Sequence, residues 1–190
     1  NHATSHLTAE MFELHDRSKF EIFAFYLGKK INGNDIWHER IKKSFKKFFF
    51  VNEMSDLEIS QLAIDLKIDI AVDLMTHCNN GMDNRFGVFV RRCAPIQINY
   101  LGYPGTSGSK NIDYIIGDKF VIPEESKKYY TEKVIYLPNS YQPNLKKAKT
   151  SNKKFTRKDL NLPIDKFVFC SFNQHQKISP QIFNVWMNIL

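Results

Sequence analysis

The stretch Phe172–Pro180, with the sequence FNQHQKISP, combines residue types that could bind a phosphorylated ligand. Lys177 lies two residues before Ser179, the predicted N-cap of a helix, and Asn173 and Gln174 add neutral hydrogen-bonding groups. The free N–H groups and the macrodipole at the amino end of a helix favour an anion. The segment is therefore a candidate phosphate site, although it lacks the pattern of a P-loop. A surface lysine at a helix entry is the alternative interpretation.

A second candidate is Ala94–Gly108, with the sequence APIQINYLGYPGTSG. A β-type run, Ile96–Leu101, leads into a loop that contains Gly102, Pro104, Gly105 and Gly108. Glycine permits positive φ and close approach of another molecule, and proline fixes the path of a turn. Loops at the carboxyl ends of parallel strands form the ligand crevice of α/β sheets. We therefore expect this loop to line a ligand site, with a ligand-free glycine-rich turn as the alternative.

Asp73 and His77 form a third candidate. In the run Ile68–Leu74 the apolar residues alternate with Asp69 and Asp73, which share the opposite face of a predicted strand. Asp73 lies nearest the carboxyl end, where it could either orient the imidazole of His77 or cap the following loop. A histidine near an aspartate can act as a base near neutral pH. A hydrogen-bonded loop histidine is the alternative.

The elements that must position these residues alternate between strand and helix. The patterns predict strands at 20–27, 48–51, 68–74, 96–101, 114–116, 134–137 and 166–171. They also predict a helix that ends at about residue 15, a helix over 36–45 and a helix that ends at about residue 92. Three further helices are expected to begin at Ser55, Pro123 and Ser179. Ser55 with Glu58 is a capping box. The alternation is typical of βαβ units and predicts an α/β fold with a mostly parallel sheet.

The basic residues indicate the domain organisation. Seven lysines and arginines fall within Gln142–Lys158, without an acidic residue; the other 20 basic residues equal the 20 acidic ones in number. This distribution argues against a nucleic-acid-binding face spread over the fold. We expect an amino-terminal half at 1–141, a basic linker at 142–164 and the start of a second half at 165–190.

Composition narrows the class of protein. The 190 residues are 43% apolar, and no apolar run approaches the roughly 18 residues that span a bilayer. Cys78, Cys93 and Cys170 form no CxxC pair, so we expect small apolar packing groups in a reducing, cytoplasmic compartment and no metal site. The chain starts without Met and stops inside an apolar helical pattern, so we expect it to be part of a longer protein.

Five blocks of the chain, taken in order, resemble the catalytic region of the O-GlcNAc transferase and SPINDLY family, glycosyltransferase family 41. They are NHATSH, VDLMTHCNNGMDNRFGVFVRRCAPIQINYLGYPGTSG, IDYIIGD, YYTEKVIYLP and CSFNQHQKISP. With its lysine-rich stretch, the chain resembles a bacterial member of the family. The resemblance implies a GT-B fold of two Rossmann-like halves with a nucleotide-sugar between them, and TPR repeats upstream. This chain would hold most of the amino-terminal, acceptor-side half and the start of the donor-binding half.

The resemblance also implies roles for residues that match the family's motifs. His2 corresponds to a histidine beside the transferring sugar that has been considered a base. Lys177 corresponds to the lysine that contacts the donor diphosphate, with Gln174 beside it. The loop residues Pro104, Gly105 and Thr106 match a segment that lines the acceptor and sugar side. Two further candidates, Asp73 as a substrate contact and His77 as a catalytic residue, belong to the same region; His77 matches a histidine of many bacterial members where animal enzymes have tyrosine.

The expected function is inverting transfer of GlcNAc from UDP-GlcNAc to Ser or Thr of polypeptides, without metal or other cofactor. Polypeptide acceptors and the nucleotide-sugar are the expected partners, with no membrane. One alternative is a SPINDLY-type fucosyltransferase that uses GDP-fucose. Another is a non-catalytic module that docks a partner or binds nucleic acid through the lysines of 142–158. We expect the 190 residues alone to be inactive.

Overall fold

Two compact units, residues 1–148 and residues 149–190, divide the chain in the computed structural model. The structure describes residues 3–28, 35–77, 84–146 and 151–190. All the strands among these residues lie in the first unit.

Strand and helix alternate through most of the first unit, as predicted, except that no helix separates the strands at 96–100 and 114–117. Its elements are α1 (Ala3–Glu13), β1 (Phe23–Tyr26), α2 (Ile36–Lys42), β2 (Lys47–Phe50), α3 (Asp56–Asp65), β3 (Ile70–Asp73), α4 (Gly87–Val90), β4 (Ile96–Tyr100), β5 (Tyr114–Gly117), a 3-10 helix (Glu124–Tyr129) and β6 (Lys133–Tyr136). Each strand overlaps a predicted one; β1, β3 and β4 are one to four residues shorter than predicted, and the ends of the other three differ by one residue.

The strands form two parallel sheets. β1 pairs with β2, and a second sheet has the order β3-β4-β5-β6. The predicted α/β class with parallel pairing is therefore confirmed. In the second sheet Asp73, the last residue of β3, lies opposite Asn99 near the end of β4. This register brings the polar carboxyl ends of the two strands together.

The helix caps follow from local sequence. Ser55 accepts a hydrogen bond from the N–H of Glu58, whose carboxylate accepts one from the N–H of Ser55, so the predicted capping box is present at the start of α3. Asp35 caps the start of α2, where its side chain accepts hydrogen bonds from the backbone N–H groups of Trp37 and His38.

The apolar core of the first unit lies between α3, α4 and the strands. Its buried members are Val51, Ile59, Ala63, Val88 and Cys93, with Phe25, Phe49 and Ala71 packed against them. Cys93 thus packs as a small apolar group, as predicted. The same prediction is wrong for Cys170, which is exposed, and Cys78 lies outside the described residues.

In β3 the apolar side chains are more exposed than the aspartate, which is the opposite of the burial that the sequence pattern suggests. Ile70 and Val72 are 47% and 44% exposed, whereas Asp73 is buried. The reason is that α4 covers the opposite face: Gln97 of β4, opposite Ala71, bonds to the backbone of Phe89 and Cys93. The covered face is therefore the one that carries polar side chains.

The second unit contains a 3-10 helix (His175–Lys177) and helix α5 (Pro180–Ile189). Ser179 caps α5 and Pro180 occupies its first turn, as predicted. The strand predicted at 166–171 is not formed. A strand requires a hydrogen-bonded neighbour, and residues 151–190 include no other strand; Phe167 and Phe169 pack on each other instead, with ring centroids 4.7 Å apart.

Among the helices that the structure describes, none is long and apolar enough to span a lipid bilayer.

Candidate functional site

Asp73 ends β3 and caps the turn that follows it. Its Oδ1 accepts hydrogen bonds from the backbone N–H groups of Met75, at 2.9 Å, and Thr76, at 3.1 Å. Burial raises the pKa of Asp73 above its ordinary value, and the two N–H bonds reduce this effect without cancelling it. Of the two geometric roles that the sequence left open for Asp73, the structure shows the cap.

Two buried polar side chains connect this turn with the loop after β4. Thr76 donates its hydroxyl to Oδ1 of Asn99 at 2.6 Å. Asn99 then donates Nδ2 to the carbonyl oxygens of Tyr103 and Gly105, both at 3.3 Å. Thr76 and Asn99 are 1% and 0% exposed, so leaving any of these groups unpaired would be costly. The carboxyl ends of β3 and β4 therefore hold the same loop.

The loop of residues 101–108 requires glycine at two positions. A Cβ at Gly102 would lie 2.1 Å from the carbonyl oxygen of Leu74, so the two backbones touch there. Gly108 has a φ of 69°, in the left-handed region, with open space around it. Glycine is thus required by packing at the first position and by backbone conformation at the second. The carbonyl of Pro104, between them, accepts a hydrogen bond from the hydroxyl of Tyr130 at 2.9 Å.

Glu132, directly before β6, binds the middle of this loop. Its Oε1 accepts from the backbone N–H of Ser107 at 2.6 Å and also from the Ser107 hydroxyl. Its Oε2 accepts from the hydroxyls of Thr106, at 2.7 Å, and Thr131, at 3.1 Å. Burial alone would raise the pKa of Glu132, but these hydrogen bonds outweigh burial and lower the pKa below its ordinary value. The group is therefore a carboxylate at neutral pH.

His77 is exposed and packs against the same loop. Its Nε2 lies 3.2 Å from the carbonyl oxygen of Ser107, so the tautomer with a proton on Nε2 donates to the loop. The imidazole stacks edge-on to Tyr103, with centroids 5.5 Å apart, and is tilted against Phe86 at 6.0 Å.

The structure therefore gathers the sequence-predicted candidates of the first unit into one hydrogen-bonded cluster. These are Asp73, His77, Pro104, Gly105 and Thr106. His2, the remaining candidate of this unit, lies outside the described residues.

Gln174 and Lys177 lie in the second unit. Gln174 precedes the 3-10 helix, and its carbonyl oxygen accepts from the N–H of Lys177 at 2.9 Å. The N-cap of α5 follows, where the Ser179 hydroxyl accepts from the N–H of Ile182 at 3.3 Å. Lys177 is exposed and stands two residues before the amino end of a ten-residue helix. Lys177 supplies the positive charge that an anion favours, but Pro180 has no N–H and the N–H of Ile182 donates to Ser179, so the helix end offers fewer N–H donors than an ordinary one.

Sequence reasoning missed three residues that build the cluster: Thr76, Asn99 and Glu132. A signal existed for Asn99, because Gln97 and Asn99 alternate within an otherwise apolar strand and so share one face. An acidic residue immediately before the apolar run of β6 was the corresponding signal for Glu132.

Known proteins of one family resemble this chain. The model of a family described as Glycosyl transferase family 41 matches residues 1–147 and 142–190. An Arabidopsis thaliana protein named probable UDP-N-acetylglucosamine--peptide N-acetylglucosaminyltransferase SEC is 37% identical over 195 residues and covers all of the chain. A Caenorhabditis elegans UDP-N-acetylglucosamine--peptide N-acetylglucosaminyltransferase is 33% identical and covers 74% of the chain, which spans 12% of that protein.

A solved structure gives the fold. A mutant of the Thermobaculum terrenum O-GlcNAc transferase superposes with a TM-score of 0.69 at 29% identity, covering 75% of this chain and 26% of its own. The predicted fold class, α/β of the GT-B type with a Rossmann-like amino-terminal half, is confirmed. The chain spans about a fifth of the length of the Arabidopsis relative, 19%.

Proposed function

The chain belongs to glycosyl transferase family 41, and on this premise we propose that the protein containing it is an inverting protein O-glycosyltransferase. The donor is UDP-GlcNAc, and the acceptor is a Ser or Thr hydroxyl of a polypeptide. The observation that carries the proposal is the family match, which extends over the whole chain, residues 1–147 and 142–190. The names of the Arabidopsis and Caenorhabditis relatives supply the donor and the peptide acceptor.

The proposed reaction is a direct displacement at the anomeric carbon. The acceptor oxygen forms the new bond to this carbon while the bond to the β-phosphate oxygen breaks, and the nucleoside diphosphate leaves with the electron pair. The hydroxyl proton passes to a base, a role that we assign to His2, with His77 as a second candidate. The loop of residues 101–108 provides the acceptor and sugar side.

Lys177 stabilises the charge that the leaving diphosphate acquires. It is an exposed ammonium group placed two residues before the capped amino end of α5, and Gln174 adds an amide beside it. A lysine together with helix N–H groups can neutralise a diphosphate without a metal ion. We therefore propose a metal-independent transfer with no cofactor besides the nucleotide-sugar.

The test is Lys177→Ala in the full-length protein. Loss of one preorganised charged donor at a leaving group costs roughly 3–4 kcal/mol, or about 10²–10³ in rate. We expect kcat to fall by that factor while the circular dichroism spectrum stays unchanged. Lys153→Ala, at another exposed lysine of the same unit, is the matched control and should retain full activity. Transfer by Lys177→Ala within threefold of wild type would refute this role.

The donor is tested by thermal shift with UDP and GDP on the full-length protein. A ligand at 100 times its Kd stabilises the folded state by about 2.7 kcal/mol. UDP should raise the melting temperature and GDP should not. The opposite result would favour a fucosyltransferase that uses GDP-fucose.

A further inference from the structure

We propose that Glu132 is a positioning residue that fixes the conformation of residues 104–108 for acceptor binding. The inference deepens the proposed function and rests on it, because the loop matters for transfer only if it lines the acceptor side. Glu132 itself does not touch the reacting atoms in this proposal; it acts through Thr106 and Ser107.

The first support is the convergence of donors on one carboxylate. One backbone N–H and three hydroxyl groups, from Thr106, Ser107 and Thr131, donate to its two oxygens. Hydrogen bonds to a charged acceptor are short and directional. Three of the four define both the position and the orientation of the two loop residues, Thr106 and Ser107.

The second support is the absence of a countercharge. Glu132 is only 4% exposed, and none of the ion pairs in the described part of the chain involves it. Burying an unpaired carboxylate is costly, and an apolar side chain would usually serve packing better. Three of the four groups that donate to this buried carboxylate belong to Thr106 and Ser107, so the carboxylate is placed to hold the loop.

The third support is the use made of the Thr106 hydroxyl. This oxygen donates to Glu132 and also accepts from the N–H groups of Gly108, at 3.1 Å, and Thr131, at 3.3 Å. Its hydrogen-bonding capacity is thus used within the protein. The loop consequently offers an acceptor its backbone groups, and the path of that backbone depends on Glu132 at 106–107 and on Asn99 at 103 and 105.

The test compares Glu132→Ala, Glu132→Gln and the control Glu125→Ala in the full-length protein. Glu125 is an exposed carboxylate in the neighbouring 3-10 helix. In Glu132→Ala the amides of Ser107 and Gly108, whose N–H groups bond to Glu132 and Thr106, should exchange hydrogen at least tenfold faster, and kcat/KM for a peptide acceptor should fall by about 10- to 100-fold. The Kd for UDP should change by less than twofold, since the donor contacts that we propose, Gln174 and Lys177, belong to the other unit.

Glu132→Gln supplies the conservative rescue. Its amide oxygen can still accept from Ser107. Its NH₂ group cannot replace the bond to Thr106, whose oxygen already accepts from two N–H groups, so the variant should recover part of the lost kcat/KM. If Glu132→Ala does not fold, Ser107→Ala removes a single donor and should give a smaller change in the same direction.

The outcomes separate the two proposals. Unchanged hydrogen exchange at Ser107 and Gly108, or faster exchange with unchanged acceptor kinetics, would overturn the inference about Glu132. A wild-type protein that transfers no sugar from any nucleotide-sugar would instead overturn the proposed function.

Discussion

Gly102 offers the sharpest test of how the loop is held, because its substitution by alanine forces two backbone segments apart. A Cβ at this position would lie 2.1 Å from the carbonyl oxygen of Leu74 and 2.9 Å from its carbonyl carbon. Carbon and oxygen atoms that are not bonded to each other need about 3 Å or more, so one segment must move on the order of 1 Å. No rotamer change relieves the clash, since both partners are main chain.

The expected magnitude follows from this displacement. Overpacking costs typically 1–3 kcal/mol, and we place Gly102→Ala at about 3 kcal/mol because the obstacle is rigid. A misplacement of about 1 Å in a substrate-positioning segment can lower activity by about 10²-fold. We therefore expect kcat/KM for the acceptor to fall by roughly two orders of magnitude.

Gly87→Ala is the matched control. Its Cβ would also meet an oxygen at 2.1 Å, but this atom is Oδ2 of Asp56, the movable end of a side chain. We expect a cost below about 1 kcal/mol, limited to weakening a partly exposed ion pair with Arg85. Urea denaturation and acceptor kinetics of both variants in the full-length protein make the comparison. Equal stability and activity of the two variants would show that the contact between Gly102 and Leu74 does not control the loop.

Two further predictions concern buried polar groups. Gln97→Leu should destabilise the protein by about 1–3 kcal/mol, because it leaves the backbone N–H of Cys93 without its acceptor at a site that is 0% exposed. The carbonyl groups of Phe89 and Asn111 each lose one hydrogen bond but still accept one from Arg92. Urea denaturation beside the exposed control Gln61→Leu measures this, and equal effects would contradict it. Asp73→Asn should gain stability relative to wild type at pH 7, since burial raises the pKa of Asp73 and so disfavours its charged form in the folded state. As pH falls from 7 towards 4, the folded wild type takes up the proton before the unfolded chain does, so the difference in stability between Asp73→Asn and wild type should shrink. A stability difference that grows on acidification would contradict the direction of the pKa shift.

Features that depend on a few neighbouring residues could be predicted from the sequence. The capping box of Ser55 and Glu58, and the start of α5 at Ser179 and Pro180, are formed as expected. Strand positions in the first unit were also predictable, because β-type runs alternate there with turn residues. These signals are local, and each is set by chemistry within one turn of chain.

Features that depend on distant partners were not predictable in the same way. The face of β3 that carries Val72 is half-exposed because α4 packs on the other face, and no pattern within the strand encodes that choice. The run at 166–171 has strand composition but no strand beside it in its own unit, so its pattern alone was insufficient. The pairing of strands depends on residues that are distant in the chain, whereas the alternation of apolar and polar residues is set within one strand.

The candidate site shows the same division more clearly. The glycines and Pro104 identified the loop, but the groups that fix it, Asn99 and Glu132, lie outside it and were missed. Apolar packing could bury this face of the sheet at lower cost, but it constrains a loop only through shape. Directional bonds from a buried amide and a buried carboxylate constrain each carbonyl and hydroxyl that they touch. Asn99 and Glu132 are thus best explained by the need to hold one loop in one conformation, at an energetic cost that a purely structural sheet would not carry.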